Sequence, residues 1–347
     1  MTEGSAPDVR EYLCTESFLK SLIDARALKT AFDLRVIDHL AANPAMTLAD
    51  LVAWFPGDGQ GLRLLLSLLR GNGVVEEGNG QIRLSQQFRQ ALRYRDLLET
   101  KLEFVQFVLW DFTELFTTAI RSPETFARQA RTFQLFCYDR ARTPGSESYE
   151  RTKRWMRITT CLTRYESDVC MKHHDFGCYE RVLDIGGNSG EFVLQVCRRH
   201  PGVSATVLDL PLVCQIGREH VRVAPEGARI TFVEGSALTD ALPEGQDLVT
   251  FKSMLHDWPE REARQLIVRG SQALRRGGTL LIFERGPLEM DEGVPSYSLI
   301  PFLLFFRSFR SPAMYRQQLE ALGFEDIGVQ RIDLEMPFFL VTGRKRD

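Results

Sequence analysis

Apolar residues recur at helical spacing near the start of the chain, where Leu28, Ala31, Leu34, Ile37 and Leu40 fall on one face. Thr47 stands where a cap would open a short helix over 47–54. Leu62, Leu65, Leu66 and Leu69 mark another helix, and Gly71, Asn72 and Gly73 supply its stop signal. Val74–Val75 and the stretch Gln81–Leu84 then flank the polar turn Gly78-Asn79-Gly80, which reads as a hairpin. Helix, helix, helix and hairpin is a winged-helix order, predicted here for a first domain, 1–96. Residues 97–175 read as helices. One aromatic stripe, Phe104, Phe107, Val108 and Phe112, is expected in a core or a dimer interface. The stretch 138–148 is polar, contains Pro144 and Gly145, and reads as a linker before a helix from Tyr149 to about Lys172. From Arg181 the pattern changes to strands at 181–185, 205–208, 230–234, 248–251, 279–283 and 338–343, with helical stretches between most of them. That alternation predicts an α/β fold for 176–347: a doubly wound, mostly parallel sheet covered on both faces.

A length of 347 residues exceeds one ordinary compact domain and suits two or three units. The net charge of -3 supplies no basic field for nucleic acid. There are 7 cysteines, an odd number with no C-x-x-C pair, a pattern of scattered reduced thiols in a cytoplasmic protein and not of a disulfide framework or zinc site. Asp8, Arg10, Glu11 and Glu16 interrupt any leader-like apolar segment, and the longest apolar run, 299–306, is far too short to span a membrane. Neither a membrane nor a nucleic-acid partner is expected. No grouping of ligand residues predicts a metal; His173 and His174 lie in a polar connection and read as surface or packing residues.

The chemistry concentrates after the first strand of the α/β region. Val182-Leu183-Asp184-Ile185 runs into Gly186-Gly187-Asn188-Ser189-Gly190, an apolar strand ending in an acid and a glycine-rich turn. Glycines let a main chain approach a ligand without a Cβ in the way. The next strand ends at Asp209, placed to accept hydrogen bonds from two ribose hydroxyls. The turn lacks the full G-x-G-x-x-G of a pyrophosphate cradle, so a dinucleotide and a phosphate-free nucleoside cofactor both stand as readings.

Three further runs make the pattern specific. L-D-I-G-G-N-S-G at 183–190, L-H-D-W at 255–258 and G-G-T-L-L-I-F-E at 277–284 resemble the plant-type small-molecule O-methyltransferases and their bacterial relatives. The resemblance spans nearly the whole chain, and 27–95, including L-L-S-L-L-R-G-N-G-V-V, is similar to that family's dimerisation domain. It implies S-adenosylmethionine as cofactor and a homodimer. It implies that Asp184, Gly186, Gly187 and Gly190 line the methionine end, that Asp209 and Leu210 hold the ribose, that Ser236 and Ala237 sit by the adenine, and that Lys252 and Trp258 complete the pocket. It makes His256 the general base and Glu284 its orienting carboxylate. Two departures stand out. Ser236 replaces the usual acid, and the segment 305–310 lacks the G-G-x-E-R pattern that carries a second carboxylate beside the histidine.

The acceptor side is expected to draw on the helix after 149 and on 296–316. Arg157 and Arg164 share a helix face, and Arg307 and Arg310 interrupt an aromatic-aliphatic run. A guanidinium pair there predicts a small, carboxylate-bearing acceptor. The arginine-rich, acid-poor acceptor side is similar to a bacterial branch that S-methylates 4-methylthio-2-hydroxybutyrate on the route to dimethylsulfoniopropionate, which stands as the alternative to O-methylation. Two other classes remain: a winged-helix DNA-binding regulator, opposed by the leucines of its would-be reading helix, and a catalytically silent cofactor-binding scaffold, opposed by His256 and Glu284.

Overall fold

The computed structural model describes residues 23–135, 137–142, 145–287, 305 and 307–346. The chain divides into two compact units, Met1–Gln106 and Phe107–Asp347, and the division falls inside one long helix, ten residues beyond the boundary at 96 read from the pattern.

The first unit holds α1 (Asp24–Asp33), α2 (Val36–Ala42), the two-residue strand β1 (Met46–Thr47), α3 (Leu48–Trp54), α4 (Gly59–Gly71), β2 (Val75–Gly78), β3 (Gln81–Leu84), α5 (Gln86–Ala91) and the start of α6 (Arg95–Arg121). Thr47 caps α3 as expected, accepting from the Asp50 amide while Asp50 answers the Thr47 amide. Asp58 caps α4, an acid the pattern did not single out. The three strands pair in the order β1-β3-β2, with Asn79 and Gly80 at positive φ in the turn. Leu62, Leu65, Leu66 and Leu69 pack with Ile37, Leu40 and Leu51 in one core, and Leu102 of α6 joins it. The leucine-rich helix is thus largely consumed by its own core, and Leu64 is its exposed leucine.

In the second unit the rest of α6 is followed by α7 (Pro123–Gln129), α8 (Arg131–Leu135), α9 (Tyr138–Arg142) and α10 (Ser146–His173). Of the stripe on α6, Phe104 and Val108 are buried, while Trp110, Phe116 and Ile120 present a separate exposed apolar face. The segment expected as a linker begins with α9. Then come β4 (Arg181–Ile185), α11 (Glu191–Arg199), β5 (Ser204–Asp209), α12 (Pro211–Val221), β6 (Ile230–Glu234), β7 (Gln246–Lys252), α13 (Glu260–Ala273), β8 (Leu274–Arg285), α14 (Pro312–Ala321), β9 (Phe324–Asp333) and β10 (Pro337–Lys345). The seven strands order as β6-β5-β4-β7-β8-β10-β9, the first five parallel and the last two antiparallel. The pattern found six of them and missed β9.

Alternation along each strand splits the core in two. Val182, Val207, Leu248 and Phe283 face one layer, and Leu183, Leu208, Val249 and Ile282 face the other. The connections run to one side after β4 and to the other after β6, so the switch point lies between β4 and β7. Ligands of open α/β sheets bind outside the strand ends at such a point. The run 299–306 lies outside the described residues except for Phe305, as do 296–304 of the expected acceptor segment. No described helix is long and apolar enough to cross a membrane.

Candidate functional site

Beyond β4 the chain turns through Gly186 and Gly190, both at positive φ, with Asn188 between them also left-handed. Gly187 needs its missing Cβ for another reason: a methyl there would lie 2.5 Å from Asp184 Oδ2. Asp184 is buried beneath this loop. Thr250, its register partner on β7, donates to Oδ1 at 2.6 Å, and Oδ2 has no partner among the described residues. Burial pushes the Asp184 carboxyl up to about 7. At the end of β5, Asp209 accepts from the amides of Asn188 (2.8 Å) and Leu210 (2.7 Å), which joins the glycine loop to the start of α12. Burial raises Asp209 to about 6 against those two bonds. The Gly235 amide donates to the Asp209 carbonyl at 3.0 Å and so brings Ser236 and Ala237 alongside. The Ser236 hydroxyl accepts from the Leu238 amide, and the Asp240 carboxylate accepts from the Ser236 amide at 2.8 Å. An acid thus stands near the position where Ser236 departs from the acidic pattern.

The second centre forms where β7 and β8 end. His256 lies in a 3-10 turn, Leu255–Asp257, and its Nδ1 is 2.8 Å from Glu284 Oε1. Glu284 is buried at the end of β8 and also accepts from the amides of Leu255 (3.1 Å) and Arg285 (2.9 Å). Burial opposes charge on both side chains. For Glu284 the neighbouring His256 outweighs it and holds the carboxyl below its usual range. For His256 the carboxylates of Glu284 and Asp257 outweigh it and raise the imidazole above its usual value. Its second nitrogen, Nε2, lies 3.4 Å from Asp257 Oδ1. The Tyr138 hydroxyl donates to Asp257 Oδ2 at 2.5 Å, and its ring stacks on Trp258 and meets the edge of Trp155. Phe305 and Phe309 stand edge-on to the imidazole.

Helix α10 closes one side. Thr160 donates to the Ser189 hydroxyl at 2.7 Å, and the Thr159 hydroxyl lies 3.3 Å from Asn188 Oδ1. Lys252 donates to Thr163 at 2.8 Å and pairs with the buried Glu166, which also pairs with Arg285. Lys252 thus serves an ion triad, and neither Glu166 nor Arg285 was among the sequence candidates. Of the four expected acceptor arginines, Arg164 bonds the buried Glu191 at 3.2 Å beside His220 and Gln195. Arg310 donates to the main-chain carbonyls of Leu255, at 2.8 Å, and Trp258. These two bind protein groups, and for Arg310 the main-chain carbonyls relieve a guanidinium placed in apolar sequence. Arg157 and Arg307 are exposed. Tyr138 and Asp257 were missed as well. The first lay in a stretch read as linker, and the second stood inside the L-H-D-W run without a role. His173 hydrogen-bonds Gln330, and His174 stacks on Tyr179. Among the described residues no three or more His, Cys, Asp or Glu side chains cluster as metal ligands.

A glycine loop over a buried acid, an acid at the next strand end and a histidine–carboxylate pair at the switch point match known proteins in both sequence and fold. The model of the O-methyltransferase domain matches residues 134–325, and that of the O-methyltransferase dimerisation domain matches 16–91. The chain therefore belongs to the O-methyltransferase family. It is 38% identical over 110 residues to 3-hydroxy-5-methyl-1-naphthoate 3-O-methyltransferase of Streptomyces sahachiroi, covering 32% of each chain. It is 35% identical over 175 residues to acetylserotonin O-methyltransferase of Bos taurus, covering 48% of this chain and 49% of that one. The matched stretch thus spans from 32% to 49% of these curated relatives. Over nearly full length the fold is that of human N-acetylserotonin methyltransferase solved with S-adenosylmethionine, with a TM-score of 0.73 at 22% identity, covering 99% of this chain and 100% of that one. It is equally that of CalO1, a methyltransferase of calicheamicin biosynthesis solved with SAH, with a TM-score of 0.74 at 23% identity, covering 98% and 99%.

Proposed function

We propose that the chain is an S-adenosylmethionine-dependent methyltransferase that acts on the hydroxyl of a small acceptor, with His256 as general base and Glu284 as the group that orients it. The observation that carries this reading is the pairing of His256, in the turn after β7, with the buried Glu284 at the end of β8, beside the glycine loop of β4. The residues fit the cofactor. Asp184 keeps one buried carboxylate oxygen without a partner, the loop 186–190 has no room for side chains at Gly187, and the acids Asp184 and Asp209 suit a cationic ligand. Gly186, Gly187 and Gly190 would lie along its methionine end above Asp184, Asp209 and Leu210 at its ribose, and Ser236 and Ala237 at its adenine, with Lys252 and Trp258 nearby. When bound, the cofactor supplies a methyl group on a positively charged sulfur. Glu284 fixes the imidazole by accepting from Nδ1, and Nε2, 3.4 Å from Asp257 Oδ1, would take the proton that the acceptor's hydroxyl gives up when the methyl group leaves the sulfur for its oxygen. The imidazolium that results is stabilised by the Glu284 carboxylate.

A carboxylate on the acceptor would be met by one of the expected arginines, Arg157, Arg164, Arg307 or Arg310. The exposed face of α6, with Trp110, Phe116 and Ile120, together with the dimerisation-domain match supports a homodimer. The test is methyl transfer from labelled S-adenosylmethionine to panels of phenols, hydroxy acids and thioether acids, for the wild type and His256→Gln. Transfer to a hydroxyl that falls by roughly two to four orders of magnitude in the variant is expected for a general base. Transfer confined to 4-methylthio-2-hydroxybutyrate, with little dependence on His256, would replace this reading by S-methylation, because a neutral sulfur carries no proton to remove.

A further inference from the structure

The segment 305–310 carries no acid, yet the His256 imidazole has a carboxylate at each nitrogen: Glu284 at Nδ1 and Asp257 at Nε2. Asp257 is the next residue in the chain, and an adjacent side chain is free to turn away unless something holds it. Tyr138 does so from α9, 119 residues away in sequence. Its hydroxyl bonds Oδ2, which leaves Oδ1 toward Nε2, and its ring is fixed between Trp258 and Trp155. The Asp257 side chain is about a quarter exposed, so in solvent it would lose this orientation without the phenol. We propose that Asp257, positioned by Tyr138, is the second carboxylate of the His256 centre, supplied from the turn after β7 and not from the 305–310 segment. This rests on the reading of His256 as the reactive base. Tyr138 is a positioning residue, acting through Asp257. The pair would steady the proton that His256 receives, so that charge forming on the imidazole is met from both edges.

The experiment reads the histidine directly and needs no acceptor. The full-length chain carries 6 histidines; with ring-labelled histidine, the His256 signal is assigned by its loss in His256→Gln and titrated by NMR. The charged groups that face the ring are Glu284 and Arg285 from β8 and Asp257 from its own turn, with Tyr138 of α9 on Asp257. Asp257→Asn keeps shape and removes one charge, and the midpoint of His256 is expected to fall by about one pH unit. Tyr138→Phe keeps the stack on Trp258 and is expected to move the midpoint part of the way in the same direction, as the carboxylate swings toward water. A merely structural Tyr138 would change thermal stability and leave the midpoint in place, which would overturn the positioning role. An upward movement in Tyr138→Phe would overturn it too, because Asp257 would then hold its place unaided. Glu284→Gln separates the two levels. If it shifts His256 and Asp257→Asn does not, the dyad of the proposed function stands and the second carboxylate falls. If none of the variants shifts it, both fall.

Discussion

Replacing Glu284 by Gln tests whether the buried carboxylate organises the turn that carries the reactive histidine. Glu284 accepts at both oxygens: from His256 Nδ1 and the Arg285 amide at Oε1, and from the Leu255 amide at Oε2. An amide has one accepting end. Whichever way the side chain lies, its NH2 group faces a donor, and at least one buried N–H loses its acceptor. A lost bond to a charged group is worth about 1.5–3 kcal/mol, and a stranded buried donor costs about 1–3 kcal/mol more. The two overlap at one site, so a net loss of about 3 kcal/mol is expected, a drop of roughly 6–12 °C in Tm at the size of this unit. The pH dependence gives the sharper reading. His256 is raised from 6.5, so its pairing stabilises the fold below 6.5 and that contribution fades as pH rises through its folded value. Glu284 is lowered from 4.5, so its contribution is present above 4.5 and fades as pH falls through its folded value. The gap between wild type and variant should therefore be widest between 4.5 and 6.5 and narrow at higher pH. Thermal unfolding followed by circular dichroism across that range measures it. A gap that stays constant with pH, or a variant as stable as the wild type, would refute the ion-pair account of the turn.

Arg310→Met should destabilise the chain by roughly 2–4 kcal/mol, since two carbonyls of the turn lose a charged donor; thermal melts decide this, and a silent Arg310→Met would return that residue to the acceptor. Gly187→Ala should abolish cofactor binding and lower Tm, because its methyl would meet Asp184 Oδ2 at 2.5 Å; normal binding would mean the loop yields freely. S-adenosylmethionine should bind more tightly as pH rises through 6 to 7, since Asp209 and Asp184 lie near about 6 and about 7 and the ligand favours their ionised forms. Calorimetry in buffers of different ionisation enthalpy should then register proton release at pH near 6, and proton uptake would contradict the assignment of either acid.

The sheet was legible where strands are buried on both faces. β4, β5 and β7 each carry a central apolar pair, Val182-Leu183, Val207-Leu208 and Leu248-Val249, and Gly186, Gly190 and Asp209 mark the ends of β4 and β5 without reference to any other part of the chain. β9 escaped because it is an edge strand: Glu325, Asp326, Gln330 and Arg331 give it the polarity of a loop, and pairing with β10 makes it a strand. The His256–Glu284 pair was reachable through the L-H-D-W and G-G-T-L-L-I-F-E runs that carry the family resemblance, and the structure sets the turn after β7 against the end of β8. Tyr138, Glu166 and Arg285 were not, because their partners lie 86 to 119 residues away and depend on how α9 and α10 pack. The arginines show the limit most plainly. A charge in an apolar run does require a partner, but for Arg310 that partner is main chain, and no count of side-chain charges could have named it.

Calorimetric titration of S-adenosylmethionine into the full-length chain, with Asp209→Asn beside the wild type, tests the central claim most directly. One molecule per chain is predicted to bind the wild type, and the variant, which keeps the shape but loses a charged acceptor for the ribose hydroxyls, is predicted to bind about tenfold more weakly or worse, a change of about 1.4 kcal/mol. No binding by the folded wild type, or equal affinity in the two proteins, would contradict it.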